Sequence, residues 1–192
     1  MNKVVNLICG FAKEIKMSKY EIPGVKTFEY TKIVGLELID FGHNIIIDDF
    51  VLLYATAPMK IGNYVHIGCF TSITGGEKFT MGDFSGISQG RRILTGTEDF
   101  LDWGFGNPTI PEEFRNVSRK PVHIGRFAVI GANSVVCPGV TIGEGVTVAA
   151  NSVVTRNLEP WSVYAGNRRI HARDKEAVLK NYENFLERKN NE

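Results

Sequence analysis

The sequence predicts an all-β fold: a parallel solenoid of six-residue units, interrupted by one protruding loop and closed by a C-terminal α-helix. Three observations predict it. Aliphatic heads recur at every sixth position from Ile124 through Ile130, Val136, Ile142 and Val148 to Val154. Gly or Ala follows four of these heads, at Gly125, Gly131, Gly143 and Ala149. Residues 94–121 carry no such unit. A period of six suits neither an amphipathic helix nor a single alternating strand. It suits a short strand followed by a tight corner, and three such units close a triangular coil. Coils then stack about 4.8 Å apart with their backbone groups paired. A sandwich would instead place its strands at intervals of about 8–12 residues.

The elements follow in order within one domain, 1–192. Residues 1–32 form an N-terminal segment. Its apolar positions Val4, Leu7, Ile8 and Phe11 leave open a helix on the solenoid or a contact with another subunit. Residues 33–93 carry shorter runs of the same spacing: Ile33, Ile39, Ile45, Val51; then Ile61, Ile67, Ile73; then Met81, Ile87, Ile93. Within each strand the head and the residue two places before it point inward. Residues 94–121 form an extended loop whose aromatics argue against disorder. Coils resume over 122–159, and Pro160-Trp161 ends them. A helix within 170–190 follows, with Asp174 as N-cap and an apolar stripe of Val178, Tyr182, Phe185 and Leu186. The expected role of this helix is to cover the open end of the stack.

Composition narrows the function. A formal net charge of +1 gives no basis for nucleic-acid binding, and 43% hydrophobic residues exclude a disordered chain. No apolar run is long enough to span a bilayer, so no integral membrane segment is expected. Cys9, Cys69 and Cys137 form neither a disulfide framework nor a zinc site. The start of the chain has the outline of a signal peptide, but Lys13, Glu14 and Lys16 stand where the cleavage site belongs. A cytoplasmic protein is expected.

The run Ile130-Gly-Ala-Asn-Ser-Val-Val-Cys-Pro-Gly-Val-Thr-Ile-Gly-Glu-Gly-Val, with Asn151-Ser-Val-Val-Thr155 and Pro160-Trp-Ser-Val-Tyr-Ala-Gly-Asn167, resembles the hexapeptide-repeat acyltransferases. The similar branch holds galactoside, maltose and xenobiotic acetyltransferases with their capsule and lipopolysaccharide relatives. The resemblance spans roughly residues 33–173. It implies a left-handed parallel β-helix, a homotrimer with active sites between subunits, acetyl-CoA as donor and direct transfer assisted by a histidine base. It implies Ala132 and Ala150 along the pantetheine, Thr155 and Arg156 near the nucleotide, and Arg173 on a phosphate. Where relatives read Gly-Asn-Pro, this chain has Gly166-Asn167-Arg168, so the basic charge moves forward to Arg168 and Arg169.

One departure concerns the base. Thr95-Gly96-Thr97-Glu98 matches the segment that carries the family histidine, and Glu98 occupies that place. Polysaccharide-cluster relatives share such a carboxylate and a segment like Asn107-Pro108-Thr109. Among the four histidines, His66 is the candidate base, with Glu98 or Asp99 of an adjacent subunit orienting it, because the spacing puts these residues at different corners. Glu98 as the direct base is the alternative. An imidazole titrates near neutral pH and activates a hydroxyl that is otherwise a weak nucleophile. His43 reads as a corner residue, His123 as support for the loop, and His171 as a neighbour of the basic cluster. Cys69 and Cys137 read as incidental thiols. The acceptor is expected under the loop, near Asp102, Trp103 and Asn107.

The leading function is therefore acetyl-CoA-dependent O-acetylation of a carbohydrate hydroxyl in surface-polysaccharide biosynthesis. N-acetylation of a nucleotide-linked amino sugar and a non-catalytic trimeric scaffold are the alternatives. A zinc carbonic anhydrase needs closely spaced histidines that the chain lacks, so no metal is expected.

Overall fold

Alternation buries two side chains per short strand and leaves the residue between them outside. In the computed structural model, which describes residues 19–191, this pattern builds a left-handed parallel β-helix. The part of the N-terminal segment that carries Val4, Leu7, Ile8 and Phe11 lies outside the described residues.

Three sheets form the sides. The first stacks Val25–Thr27, Ile45–Ile47, His66–Ile67, Gly86–Ile87, Val129–Ile130, Thr147–Val148 and Ser162–Ala165, all parallel. The second stacks Lys32–Val34, Leu52–Tyr54, Ser72–Thr74, Arg92–Leu94, Val135–Val136 and Val153–Val154. The third stacks Ile39–Phe41, Met59–Ile61, Phe79–Met81, Val122–Ile124 and Thr141–Ile142. Coil-to-coil hydrogen bonds such as Gly68 N–H to the Ile87 carbonyl, 2.7 Å, run the length of the stack. The inward residues make one continuous core in which Ile47, Ile67, Ile87 and Ile130 stack as a column.

Four expectations are corrected. Coils begin at Val25, because Val25–Thr27 already pairs with Ile45–Ile47, so residues 25–32 belong to the solenoid. The upstream heads are Ile33, Phe41, Ile47 and Leu53, while Ile39, Ile45 and Val51 are the inward residues two places earlier. The reason is coil length. Ile46 pairs with His66 and His66 with Gly86, a step of 20 residues, whereas Val129 pairs with Thr147, a step of 18. The extra two residues sit where the second sheet passes to the third, and the loop 94–121 leaves from that same corner. Gly35, at φ 71°, shows how tight this corner is: a Cβ there would lie 2.0 Å from the Ala55 carbonyl oxygen.

The remaining two corrections concern the C-terminal end. Trp161 does not end the stack, since Ser162–Ala165 adds a further parallel strand and Arg168–Ala172 folds back on it antiparallel. This hairpin covers the end of the first sheet. The helix follows, from Lys175 to Asn190. Asp174 caps it as predicted, accepting from Ala177 N–H at 2.9 Å. The helix lies along the stack rather than over its end. Tyr182 and Phe185 meet a ladder of corner aromatics, Tyr64, Phe84 and Phe127, edge to face at 5.2–5.4 Å. Such pairs add about 0.5–1.5 kcal/mol each beyond area burial, which explains the docking side. Among the described residues no helix is long and apolar enough to cross a membrane.

Candidate active site

Outward residues of the first sheet form a column in which His66 stands between Ile46 and Gly86. Gly86 offers no side chain, and a Cβ added there would meet nothing within 4 Å. The column thus has a notch directly beside His66. Next to it runs the corner between the first and second sheets, where successive coils present Asp48, Gly68-Cys69, Ser88-Gln89, Gly131-Ala132 and Ala149-Ala150. Small residues dominate because neighbouring coils approach closely: a Cβ on Gly131 would lie 2.4 Å from the Ala150 nitrogen. Notch and corner together make a groove of about 300 Å³ whose lining includes Asp48, His66, Cys69, Gly86, Gln89 and Ala132.

His66 is oriented within its own chain. Its Nε2 lies 3.0 Å from Asp48 Oδ2. An ionised carboxylate only accepts, so Nε2 carries the proton and Nδ1 keeps its lone pair. Within the chain, the carboxylate beside His66 is therefore Asp48 and neither Glu98 nor Asp99. The missed signal is the coil length of 20: applied to this part of the chain, it sets Asp48 one coil before Gly68, at the corner that follows His66.

The loop residues have other partners. Gly96–Thr97 pairs antiparallel with Ser118–Arg119 and zips the loop's root. Glu98 takes Arg115 across the loop through both carboxylate oxygens, with Nε to Oε2 at 3.3 Å. Asp99 accepts from the backbone N–H groups of Leu101, Asp102 and Gly104 at 2.8–2.9 Å, and from Asn116 Nδ2 at 3.1 Å. Those backbone donors, Asp102 first, hold its carboxyl well below the usual carboxylate range. Glu98, Asp99 and Asp102 meet around a second depression of about 360 Å³, at a different edge from His66. Asn107 Oδ1 turns the loop by accepting from Thr109 N–H and Oγ1 at 3.0 Å. Trp103 is 66% exposed.

Asp99 carries a testable consequence. A depressed carboxyl contributes order above its unfolded pKa of about 3.9, and that contribution is lost only as the pH falls through the lower folded value. Asp99→Ala is expected to speed hydrogen exchange at the Leu101, Asp102 and Gly104 amides at neutral pH. The amides of the coils should stay protected in the same measurement.

The residues expected to hold the donor separate into three places. Ala132 lines the His66 groove, and Ala150 continues the same corner one coil on. Thr155 and Arg156 are tied to the hairpin turn: Asn167 Nδ2 donates to Thr155 Oγ1 at 2.6 Å, and Arg156 Nη2 donates to the Asn167 carbonyl at 2.7 Å. Arg168, exposed, begins the returning strand beside them. Arg173 is not with this group. Its Nη1 donates to the Phe127 and Gly145 carbonyls at 2.7 and 3.1 Å, and burial lowers its pKa. The returning strand carries it back to Trp161, about 17 Å away at a strand's rise per residue. Its guanidinium serves the fold beneath the helix. Of the other histidines, His123 Nδ1 shares a hydrogen with Thr80 Oγ1 at 2.6 Å on the third sheet, and burial lowers its pKa.

Residues 121–156 match the family described as bacterial transferase hexapeptide (six repeats). The chain is 34% identical over 143 residues to dTDP-4-amino-4,6-dideoxy-D-glucose acyltransferase of Escherichia coli, covering 74% of each chain. It is 31% identical over 137 residues to WbbJ of Escherichia coli K12, described as a lipopolysaccharide biosynthesis O-acetyl transferase, covering 71% of this chain and 64% of that one. The crystal structure of AntD, an N-acyltransferase from Bacillus cereus in complex with dTDP and 3-hydroxybutyryl-CoA, superposes with a TM-score of 0.82 at 35% identity, over 87% of this chain and 89% of that one. The repeats, the β-helix and the identity across most of the chain place this protein in the hexapeptide-repeat acyltransferase family.

Proposed function

We propose that the chain transfers an acetyl or short acyl group from its CoA thioester to the amine of a nucleotide-linked dideoxy amino sugar, in the groove at His66. The observation that carries this reading is the groove itself. It sets a carboxylate-oriented imidazole at the head of a wall of small residues that continues through Ala132 to Ala150. An amide-rich arm can lie against such a wall and exchange hydrogen bonds with the backbone. Similarity to an acyltransferase named for a dTDP-linked amino sugar, and to AntD with dTDP and an acyl-CoA bound, supports both substrate classes.

His66 is the general base in this reading. Its Nδ1 accepts the proton that the attacking amine loses as the new C–N bond forms, and returns that proton to the departing thiolate. Asp48 holds the tautomer and stabilises the imidazolium between those steps. Asp102, Trp103 and Asn107 on the loop remain candidates for acceptor contacts, and Thr155, Arg156 and Arg168 for donor phosphates, which suit forked guanidinium contacts. Assembly as a homotrimer belongs to the same proposal. Phe100, Leu101, Trp103 and Phe105 leave an apolar stretch exposed on the loop, and a second copy would cover it. Use of acyl-CoA and a nucleotide sugar fits a cytoplasmic location.

O-acetylation of a carbohydrate hydroxyl is the second reading, and the His66–Asp48 pair favours it. A hydroxyl needs a base to become a competent nucleophile, whereas a neutral amine already carries a lone pair. Thermal unfolding with acetyl-CoA and thiol release with candidate acceptors test both. A ligand that binds only the native state raises the midpoint. The proposal predicts a shift with acetyl-CoA and thiol release with dTDP-4-amino-4,6-dideoxyglucose. Release with hydroxyl sugars alone would select the second reading, and no shift at millimolar acetyl-CoA would overturn both.

A further inference from the structure

Six side chains fill the same inward place behind the groove's corner: Thr31, Val51, Thr71, Arg91, Ser134 and Ser152, all buried. Five are small. The hydroxyls among them satisfy carbonyls: Thr31 donates to Asp48 at 3.2 Å, Thr71 to Ser88 at 3.3 Å and Ser134 to Gly131 at 2.8 Å. Arg91 breaks this series with a guanidinium that is 0% exposed. Its Nη1 donates to the Gln89 carbonyl at 3.3 Å and its Nη2 to the Ile130 carbonyl. Its Nε has no partner, and no carboxylate pairs with it among the described residues. Burial lowers its pKa to about 10, so it stays charged at neutral pH.

One carbonyl belongs to a residue of the groove's lining, Gln89, and the other to Ile130, which follows the lining residue Val129 in the chain. Gln89 lines the groove together with Ser88 and Ala132. The Ile130 carbonyl also accepts from Ser88 N–H, and that bond is long at 3.2 Å. Equivalent bonds one coil either way, Gly68 to Ile87 and Gly131 to Val148, are both 2.7 Å. Arg91 therefore shares an acceptor with the backbone donor at the groove's midpoint. A buried cation without a counter-ion costs stability that a hydroxyl or a methyl group at the same place would not. Preorganised charge in a low-dielectric wall has its largest effect on groups whose charge changes during reaction.

We propose that Arg91 is a positioning residue for acyl transfer: from behind the wall it fixes the Gln89 and Ile130 carbonyls and favours negative charge on the oxygen of the attacked thioester, at a cost in stability. This rests on the acyltransferase reading of the groove. Arg91→Met keeps much of the volume and removes the charge, and Arg91→Lys keeps a charge. The measurements are the unfolding midpoint and steady-state thiol release from acetyl-CoA in the intact protein. For Arg91→Met the expected midpoint is equal to or above wild type, with kcat reduced about tenfold or more and KM for acetyl-CoA changed less than about threefold. Arg91→Lys is expected to recover most of the lost kcat. A lowered midpoint with normal kcat per folded molecule would make Arg91 a filler and overturn the proposal, as would unchanged kcat in Arg91→Met or a Lys variant no better than Met. A wild type that neither binds nor cleaves acetyl-CoA would overturn the acyltransferase reading and this proposal together, whereas failure of the variants alone leaves that reading standing.

Discussion

His66→Ala is expected to lower turnover by about 10²–10⁴-fold, the usual contribution of a positioned general base. The unfolding midpoint should hardly move, because the side chain is 53% exposed and its hydrogen bond goes only to Asp48. Exposed positions of this kind change stability by about 0.5 kcal/mol or less. Asp48→Asn separates orientation from base chemistry. It keeps the shape of the carboxylate and removes its charge, so a charge-assisted hydrogen bond becomes a neutral one. Such bonds contribute about 1.5–3 kcal/mol, or about 10- to 100-fold in rate, and solvent screening at this half-open site favours the lower end. Steady-state thiol release at saturating acetyl-CoA checks both variants. Full activity in His66→Ala would return the base to the loop, where Glu98 would have to leave Arg115 first.

Phe79→Ala is expected to destabilise the fold by about 3–5 kcal/mol, the range for removing a buried aromatic ring. Phe79 is 0% exposed and stacks between Met59 and Val122 in the third sheet. Coils packed on both sides cannot collapse into the vacated space without breaking the backbone pairing that sets their spacing. For a chain of this size the midpoint should fall by on the order of 10 °C. Leu101→Ala is the control. At 94% exposed on the loop, it should leave the midpoint of the isolated chain unchanged. Calorimetry of the two variants reads the contrast directly.

The solenoid was legible downstream because its repeat never slips between Ile124 and Val154. Upstream, the same spacing picks out inward residues, but three of its ten heads, Ile39, Ile45 and Val51, stand two places early in the unit. The longer corners there carry two extra residues, which a fixed period of six cannot follow. Phe79 shows what survived: inward by alternation from Met81, it is inward in the structure. The helix was legible from Asp174 and its apolar stripe, but not its docking side. That side depends on Tyr64, Phe84 and Phe127 coming into register from three separate coils.

The site divides along the same line. The sequence singled out His66 as a base candidate, and the structure places it in a groove with Ala132. Asp48 is hidden at a fixed period of six, because only the coil length of 20 sets it at the corner that follows His66. Glu98 and Asp99 look available in one dimension, yet Arg115 and Asn116, brought back by the loop's zipped root, satisfy them. Arg173 is engaged in a similar way: its Nη1 donates to the carbonyls of Phe127 and Gly145. Side chains that answer a local alternation are readable from sequence; those that answer a partner many residues away become readable only once the coil length is known.

A crystal structure of the protein with CoA would show directly where the donor lies. The pantetheine arm is expected along Ala150 and Ala132, with its thiol in the notch at Gly86 beside His66 and the His66–Asp48 hydrogen bond intact. CoA bound elsewhere, with the groove between Asp48 and Gln89 empty, would contradict that placement.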